Sequence, residues 1–200
     1  VDPINEALAQ AWPGATRMNL LDDSLSADLA RSGRGLDDAM HARFGALADY
    51  AVETGAQAIL FTCSAFGPCI EAVARRHAGI PVLKPNEAMV QEATALNGRV
   101  GLIASFAPTL ASMPTEFPAA VDLQCALAVG AMDALDQGDL AAHDQAVLAV
   151  ARELVAAGCT VIVLAQFSMA RAAPAVRKAL GLPVLTTPES AVRALRARLA

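Results

Sequence analysis

The chain has 200 residues, of which 55% are hydrophobic and 18% charged; that balance excludes intrinsic disorder and fits one compact unit or two small lobes. A net charge of −5 argues against nucleic acid or an anionic membrane surface as partner. Aromatic residues make up only 4%, so the core is expected to be built from Ala, Val, Leu and Ile.

In chain order, Asp2 and Pro3 read as the N-cap and first residue of a helix ending near Trp12, where Pro13-Gly14 stops it. Residues 15–21 are predicted as a strand. Residues 22–35, carrying Ser24, Ser26, Ser32, Gly33 and Gly35, read as a mobile loop, with Gly33-Arg34-Gly35 as a lid hinge. A helix is predicted over 36–54, a strand over 56–63, a helix over 68–77, a strand over 81–84 and a helix over 87–96. The second half repeats the alternation: strand 99–105, helix 108–117, strand 121–128, helix 139–157, strand 160–166, helix 171–180, strand 183–186 and helix 189–199. Strands alternating with helices imply parallel sheets covered on both faces. No apolar run approaches the ~20 residues of a membrane span.

The two halves are copies of one pattern. Residues 55–63 (GAQAILFTC) lie over 158–166 (GCTVIVLAQ), Gly55 on Gly158 and Cys63 on Gln166, a constant offset of 103. After a one-residue gap, Ile80-Pro81-Val82-Leu83 lies over Leu182-Pro183-Val184-Leu185. A period this long is no solenoid; it reads as two α/β lobes about an approximate twofold axis, with the strand ends at Cys63 and Gln166 facing one cleft. Ligands of open α/β sheets bind outside the carboxyl ends of the strands.

Cys63 ends a strand shortly before the helix start marked by Gly67-Pro68, with Thr62 and Ser64 as hydroxyl neighbours. Exposed N–H groups at such a place favour thiolates and bound anions. Cys69, Cys125 and Cys159 read as small packing residues. No CxxC pair occurs, and His41, His77 and His143 sit at no zinc spacing, so no metal is expected; the histidines read as solvated or capping groups on helices. No glycine-rich phosphate loop follows a strand, which leaves no dinucleotide signal. Reduced thiols and a cytoplasmic setting are expected.

Asp22-Asp23-Ser24-Leu25, the turn Phe61-Thr62-Cys63-Ser64-Ala65-Phe66-Gly67, the strand Val100-Gly101-Leu102-Ile103-Ala104-Ser105 and Val163-Leu164-Ala165-Gln166-Phe167-Ser168-Met169 together resemble the aspartate/glutamate/hydantoin racemase superfamily, which includes arylmalonate decarboxylases and maleate isomerases. The resemblance runs through nearly the whole chain. It implies two pseudo-symmetric Rossmann-like lobes with parallel sheets flanked by helices: residues 1–97 with 189–200 as the first lobe and 98–188 as the second. It also implies that the first strand of the fold lies upstream of Val1, a site without cofactor, and a pair of thiols on opposite faces of the substrate α-carbon.

The sequence departs from that pattern where the second cysteine is expected. Gln166 stands there, and an amide does not titrate. Cys159, seven residues earlier, falls near the other end of the strand. The expectation is therefore a cofactor-independent isomerase or decarboxylase acting alpha to a carboxylate through Cys63 alone. The backbone after Cys63 (Ser64, Ala65), with Ser105 and Thr109, is expected to hold the carboxylate; Gln166, Phe167 and Ser168 line the other side. The alternative is a small-carboxylate-binding protein that has lost one thiol. A homodimer or larger homo-oligomer accords with so much Ala and Leu.

Overall fold

The computed structural model describes residues 2–200; Val1 and the strand expected ahead of it lie outside the described residues. Helix α1 (Asp2–Ala11) ends just before Pro13. The next segment departs from expectation. Residues 15–21 form no strand, and Met18, Leu20 and Leu21 stand 65%, 52% and 69% exposed. A strand needs a neighbour to satisfy its backbone, and among the described residues none pairs with this stretch.

The expected loop over 22–35 contains a helix, α2 (Leu25–Ser32), closed by Gly33 in the left-handed region at φ 60°. Arg43 accounts for this order. Its guanidinium donates to both carboxylate oxygens of Asp22 at 2.7 Å and to Asp28 Oδ2 at 2.6 Å, while Leu25 and Leu29 pack on the core beneath. Arg43 belongs to α3 (Asp38–Glu53), whose N-cap Asp37 accepts from the Met40 N–H at 3.0 Å.

Strand β1 (Ile59–Leu60), a 3-10 turn (Ser64–Phe66), α4 (Gly67–Arg76), β2 (Val82–Leu83) and α5 (Glu87–Ala95) complete the first half. Its core is aromatic: Phe44 stacks on Phe61 and lies tilted against Phe66, with ring centroids 5.5 and 5.0 Å apart, among Met40, Ile70 and Val73.

The second half holds β3 (Val100–Ala104), α6 (Ala107–Ser112) with a 3-10 extension (Met113–Glu116), β4 (Leu123–Leu127), α7 (Ala131–Asp136) and α8 (Leu140–Ala156). Then come β5 (Val161–Leu164), a 3-10 turn (Phe167–Ala172), α9 (Ala173–Leu180), β6 (Val184–Thr186) and α10 (Thr187–Leu199). Helix α7 was not expected, and the helix expected from 171 starts as the 3-10 turn.

Both sheets are parallel, one of order β1-β2 and one of order β4-β3-β5-β6. β3 and β5 are buried along their whole length, so their side chains alternate between two cores. Ile103, Ile162 and Leu164 face Val147, Ala151 and Leu154 of α8; Leu102 and Val163 face Met89, Met113 and Phe117. Gly101 marks the close approach of α8: a Cβ there would lie 2.9 Å from Ile162 Cδ1 and 3.0 Å from Leu154 Cδ1.

The pairing bears out the duplication. Ile59 pairs with Val82 and Leu60 with Leu83, while their repeat equivalents Ile162 and Val163 pair with Val184 and Leu185. The register is the same in both copies. The helices after the equivalent strands β2 and β6, α5 and α10, pack on each other: Glu92 accepts from Arg193 Nε at 2.8 Å and from Ser190 Oγ at 2.7 Å.

Candidate active site

The carboxyl ends of β1 and β5 converge on common ground. Leu60 of β1 and Phe167, just past β5, both pack against the buried cluster Ile4, Ala7 and Val192. The residues that follow Leu60 and precede Phe167 are the two strand ends singled out from the sequence.

On the first-half end, Cys63 is an exposed free thiol in extended backbone at φ −129°, immediately before the 3-10 turn that carries Ser64 and Ala65. Ser64 and Ala65 are exposed as well. Gly67-Pro68 starts α4 directly behind the turn, so helical N–H groups lie at this end of the strand. The other thiols differ. Cys69 and Cys159 are buried, and burial pushes both up from the ordinary thiol value. Cys125 is exposed as a residue, on β4 rather than in the core, yet desolvation around its sulfur pushes its thiol up too.

On the second-half end, Gln166 and Ser105 meet although 61 residues apart. The Ser105 N–H donates to Gln166 Oε1 at 2.7 Å and its hydroxyl donates to the same oxygen at 3.0 Å. Pairing of Ile103 with Leu164 brings them together, since each lies two residues beyond its member of that pair. The consequence is chemical. With its oxygen engaged by Ser105, Gln166 has its two amide hydrogens left to give, and it is fixed as a donor. Ser105, expected as a direct donor to a carboxylate, spends both of its donors on Gln166 and serves as the anchor.

Thr109 is half-buried on α6, its carbonyl accepting from the Ser112 hydroxyl at 3.3 Å. Phe167 packs inward on the Ile4 cluster, and Ser168 is half-buried in the 3-10 turn. Two concave regions lie elsewhere. One, about 740 Å³, is lined by Ala7, Glu92, Leu96, Leu182 and Arg193; the other, about 340 Å³, by Asp28, Arg31, Asp37 and Arg43. Neither includes Cys63, Ser105 or Gln166. Among the described residues, no group of His, Cys, Asp and Glu is arranged to hold a metal ion, and no helix is long and apolar enough to cross a membrane.

Sequence reasoning missed two features. Asn86, 4% exposed, sits at the end of β2, donating to Glu116 Oε1 at 3.1 Å and accepting from the Thr187 hydroxyl at 3.4 Å. The signal available was their place after the equivalent strands, Asn86 three residues past β2 and Thr187 directly after β6. The other is His143, expected as a solvated or capping group, which is fully buried on α8.

A family profile described as Asp/Glu/Hydantoin racemase matches residues 1–195. A search of curated protein sequences found no match. Among solved structures, an aspartate racemase homologue from Pyrococcus horikoshii is similar with a TM-score of 0.68 at 12% identity, over 98% of this chain and 90% of that one. Allantoin racemase from Klebsiella pneumoniae is similar with a TM-score of 0.64 at 20% identity, over 99% and 81% of the two chains. Unliganded arylmalonate decarboxylase gives 0.61 at 16% identity, over 82% and 76%. At these identities the likeness establishes a shared fold.

Proposed function

The chain belongs to the Asp/Glu/hydantoin racemase family, and from that premise we propose that it is a cofactor-independent isomerase or decarboxylase acting at the carbon alpha to a carboxylate of a small acid through one thiol, Cys63. The observation that carries this reading is the asymmetry of two repeat-equivalent strand ends, an exposed thiol at Cys63 and an anchored amide at Gln166. In an isomerisation the Cys63 thiolate takes the α-proton, the electron pair moves into an enediolate, and the thiol returns the proton to carbon from its own side, so that inversion requires the enediolate to turn over in the site first. In a decarboxylation the bond to the departing carboxylate breaks, its electron pair enters the enediolate, and the Cys63 thiol protonates the α-carbon. In both, the Gln166 amide hydrogens, the Ser64 hydroxyl and the N–H groups of the turn after Cys63 stabilise the charge that develops on the retained carboxylate. Thr109 and Ser168 are assigned to the border of the same proposed site. The setting proposed is cytoplasmic, as a homodimer or larger homo-oligomer.

A second reading has its own observation. Gln166 stands where a second acid/base group would be needed to work both faces of the α-carbon, which favours a protein that binds small carboxylates without turning them over. One experiment separates the two. Wild type and Cys63→Ser are incubated in D₂O with α-aryl malonates and with amino acids, and followed by proton NMR. The enzymatic reading expects deuterium at the α-carbon and a loss of about 10²–10⁴-fold in Cys63→Ser. Equal rates in the two proteins overturn it. Carboxylates that raise the melting temperature without any turnover select the second reading.

A further inference from the structure

His143 is fully buried, and its Nε2 is the buried side-chain polar atom that has no hydrogen-bond partner among the described residues. An unpaired buried polar atom costs free energy that a leucine of similar size would avoid, so the use of this histidine lies in its other nitrogen. Nδ1 sits 2.8 Å from Asp144 Oδ1. Asp144 is held ionised: burial works against its charge, but the hydrogen bonds from Arg171 and His143 outweigh that and keep its carboxyl below the usual range. A carboxylate only accepts, so the proton is on Nδ1 and His143 donates.

Asp144 in turn receives a forked pair from Arg171, Nε to Oδ1 at 2.9 Å and Nη2 to Oδ2 at 3.1 Å. Arg171 belongs to the 3-10 turn whose N-cap is Gln166, and within that turn the Met169 N–H donates to the Gln166 carbonyl at 3.1 Å. The chain of contacts therefore runs from the interior of α8 to the backbone that carries the site amide.

We propose that His143 is a positioning residue: through Asp144 and Arg171 it holds the turn that follows Gln166, and so keeps the Gln166 side-chain Oε1 on the Ser105 N–H. The proposal rests on reading Gln166 as the second-half wall of the site, but its test needs no substrate, so the enzymatic reading and this one fail separately. The Ser105 amide hydrogen is the reporter, since it is spent on Gln166. Its exchange with deuterium is followed by NMR in the whole protein, with the Ala128 amide, bonded to the Ala104 carbonyl at 2.8 Å, as the reference for the sheet.

His143→Leu and Arg171→Gln are expected to speed exchange at Ser105 about tenfold, the effect of losing roughly one net hydrogen bond, with Ala128 unchanged. His143→Asn, whose side-chain amide donates from the Nδ1 position, is expected to restore wild-type protection. Unchanged exchange at Ser105 in Arg171→Gln overturns the proposal, as does His143→Asn exchanging as fast as His143→Leu. Should His143→Leu fail to fold, the half-exposed Arg171→Gln and the rescue by His143→Asn decide it alone.

Discussion

Replacing Gln166 by Ala tests the anchored amide most directly. The substitution removes two hydrogen bonds to one oxygen, at 2.7 Å from the Ser105 N–H and 3.0 Å from its hydroxyl. At about 1 kcal/mol net for each intramolecular bond, and with both residues half-buried so that water recovers part of the loss, the cost is about 1–2 kcal/mol. For a chain of this size that lowers the melting temperature by about 2–8 °C. Ser105→Ala removes the hydroxyl bond alone and costs about half as much. Because the two side chains share that bond, the double variant is expected to be more stable than the sum of the singles predicts, by about 0.5–1 kcal/mol. Urea unfolding of the four proteins, monitored by circular dichroism, supplies the cycle. Additive losses, or a Gln166→Ala protein as stable as wild type, refute the claim that Ser105 fixes the amide.

Limited iodoacetamide labelling with peptide mapping is expected to modify Cys63 first, because Cys69 and Cys159 are buried and the Cys125 thiol is pushed up; faster labelling at any of the other three contradicts the site assignment. If the proposed site is right, Gln166→Cys adds a second acid/base group on the face away from Cys63, and racemisation of a substrate enantiomer in D₂O should rise by about 10²–10⁴-fold; a wild type that already inverts both enantiomers at comparable rates rules out the single-thiol account. Stability should fall in acid. Glu92 and Asp144 are both desolvated, yet hydrogen bonds from Arg193 and Ser190 in one case and from Arg171 and His143 in the other hold their folded-state values below the unfolded ones. Their contribution is complete above the unfolded carboxyl range and is lost as pH drops through the folded values, so the urea midpoint should hold from pH 7 to about 5 and decline below about 4. A midpoint flat down to pH 3 contradicts this.

What could be read from the sequence was what is encoded locally or by repetition. β3 and β5 announce themselves as short continuous apolar runs, and the offset between the halves is matched by the same pairing of Ile59 with Val82 and of Ile162 with Val184. Residues 15–21 carry the pattern of a strand without a partner to make them one. Helix α2 was hidden behind serines and glycines, because its order comes from Arg43, which lies 15 residues beyond Asp28 and 21 beyond Asp22. Ser105 and Gln166 are each candidates from the sequence, but the bond between them exists only once β3 and β5 lie side by side. His143 gave no signal at all, since burial on an Ala-rich helix depends on what the helix packs against.

The inequality of the two sheets has a consequence for where the molecule opens. The first is a pair of two-residue strands in which only Leu83 is fully buried; the second has four strands, two of them wholly buried. Local unfolding draws on regions with few buried contacts, so the half that bears Cys63 should breathe more often than the half that bears Gln166. On the proposed function, a small acid held from both ends would act as a strut. Its binding energy adds to the native state as a whole, but is felt most in the half with least of its own, where slower proteolysis around residues 13–24 would report an occupied site.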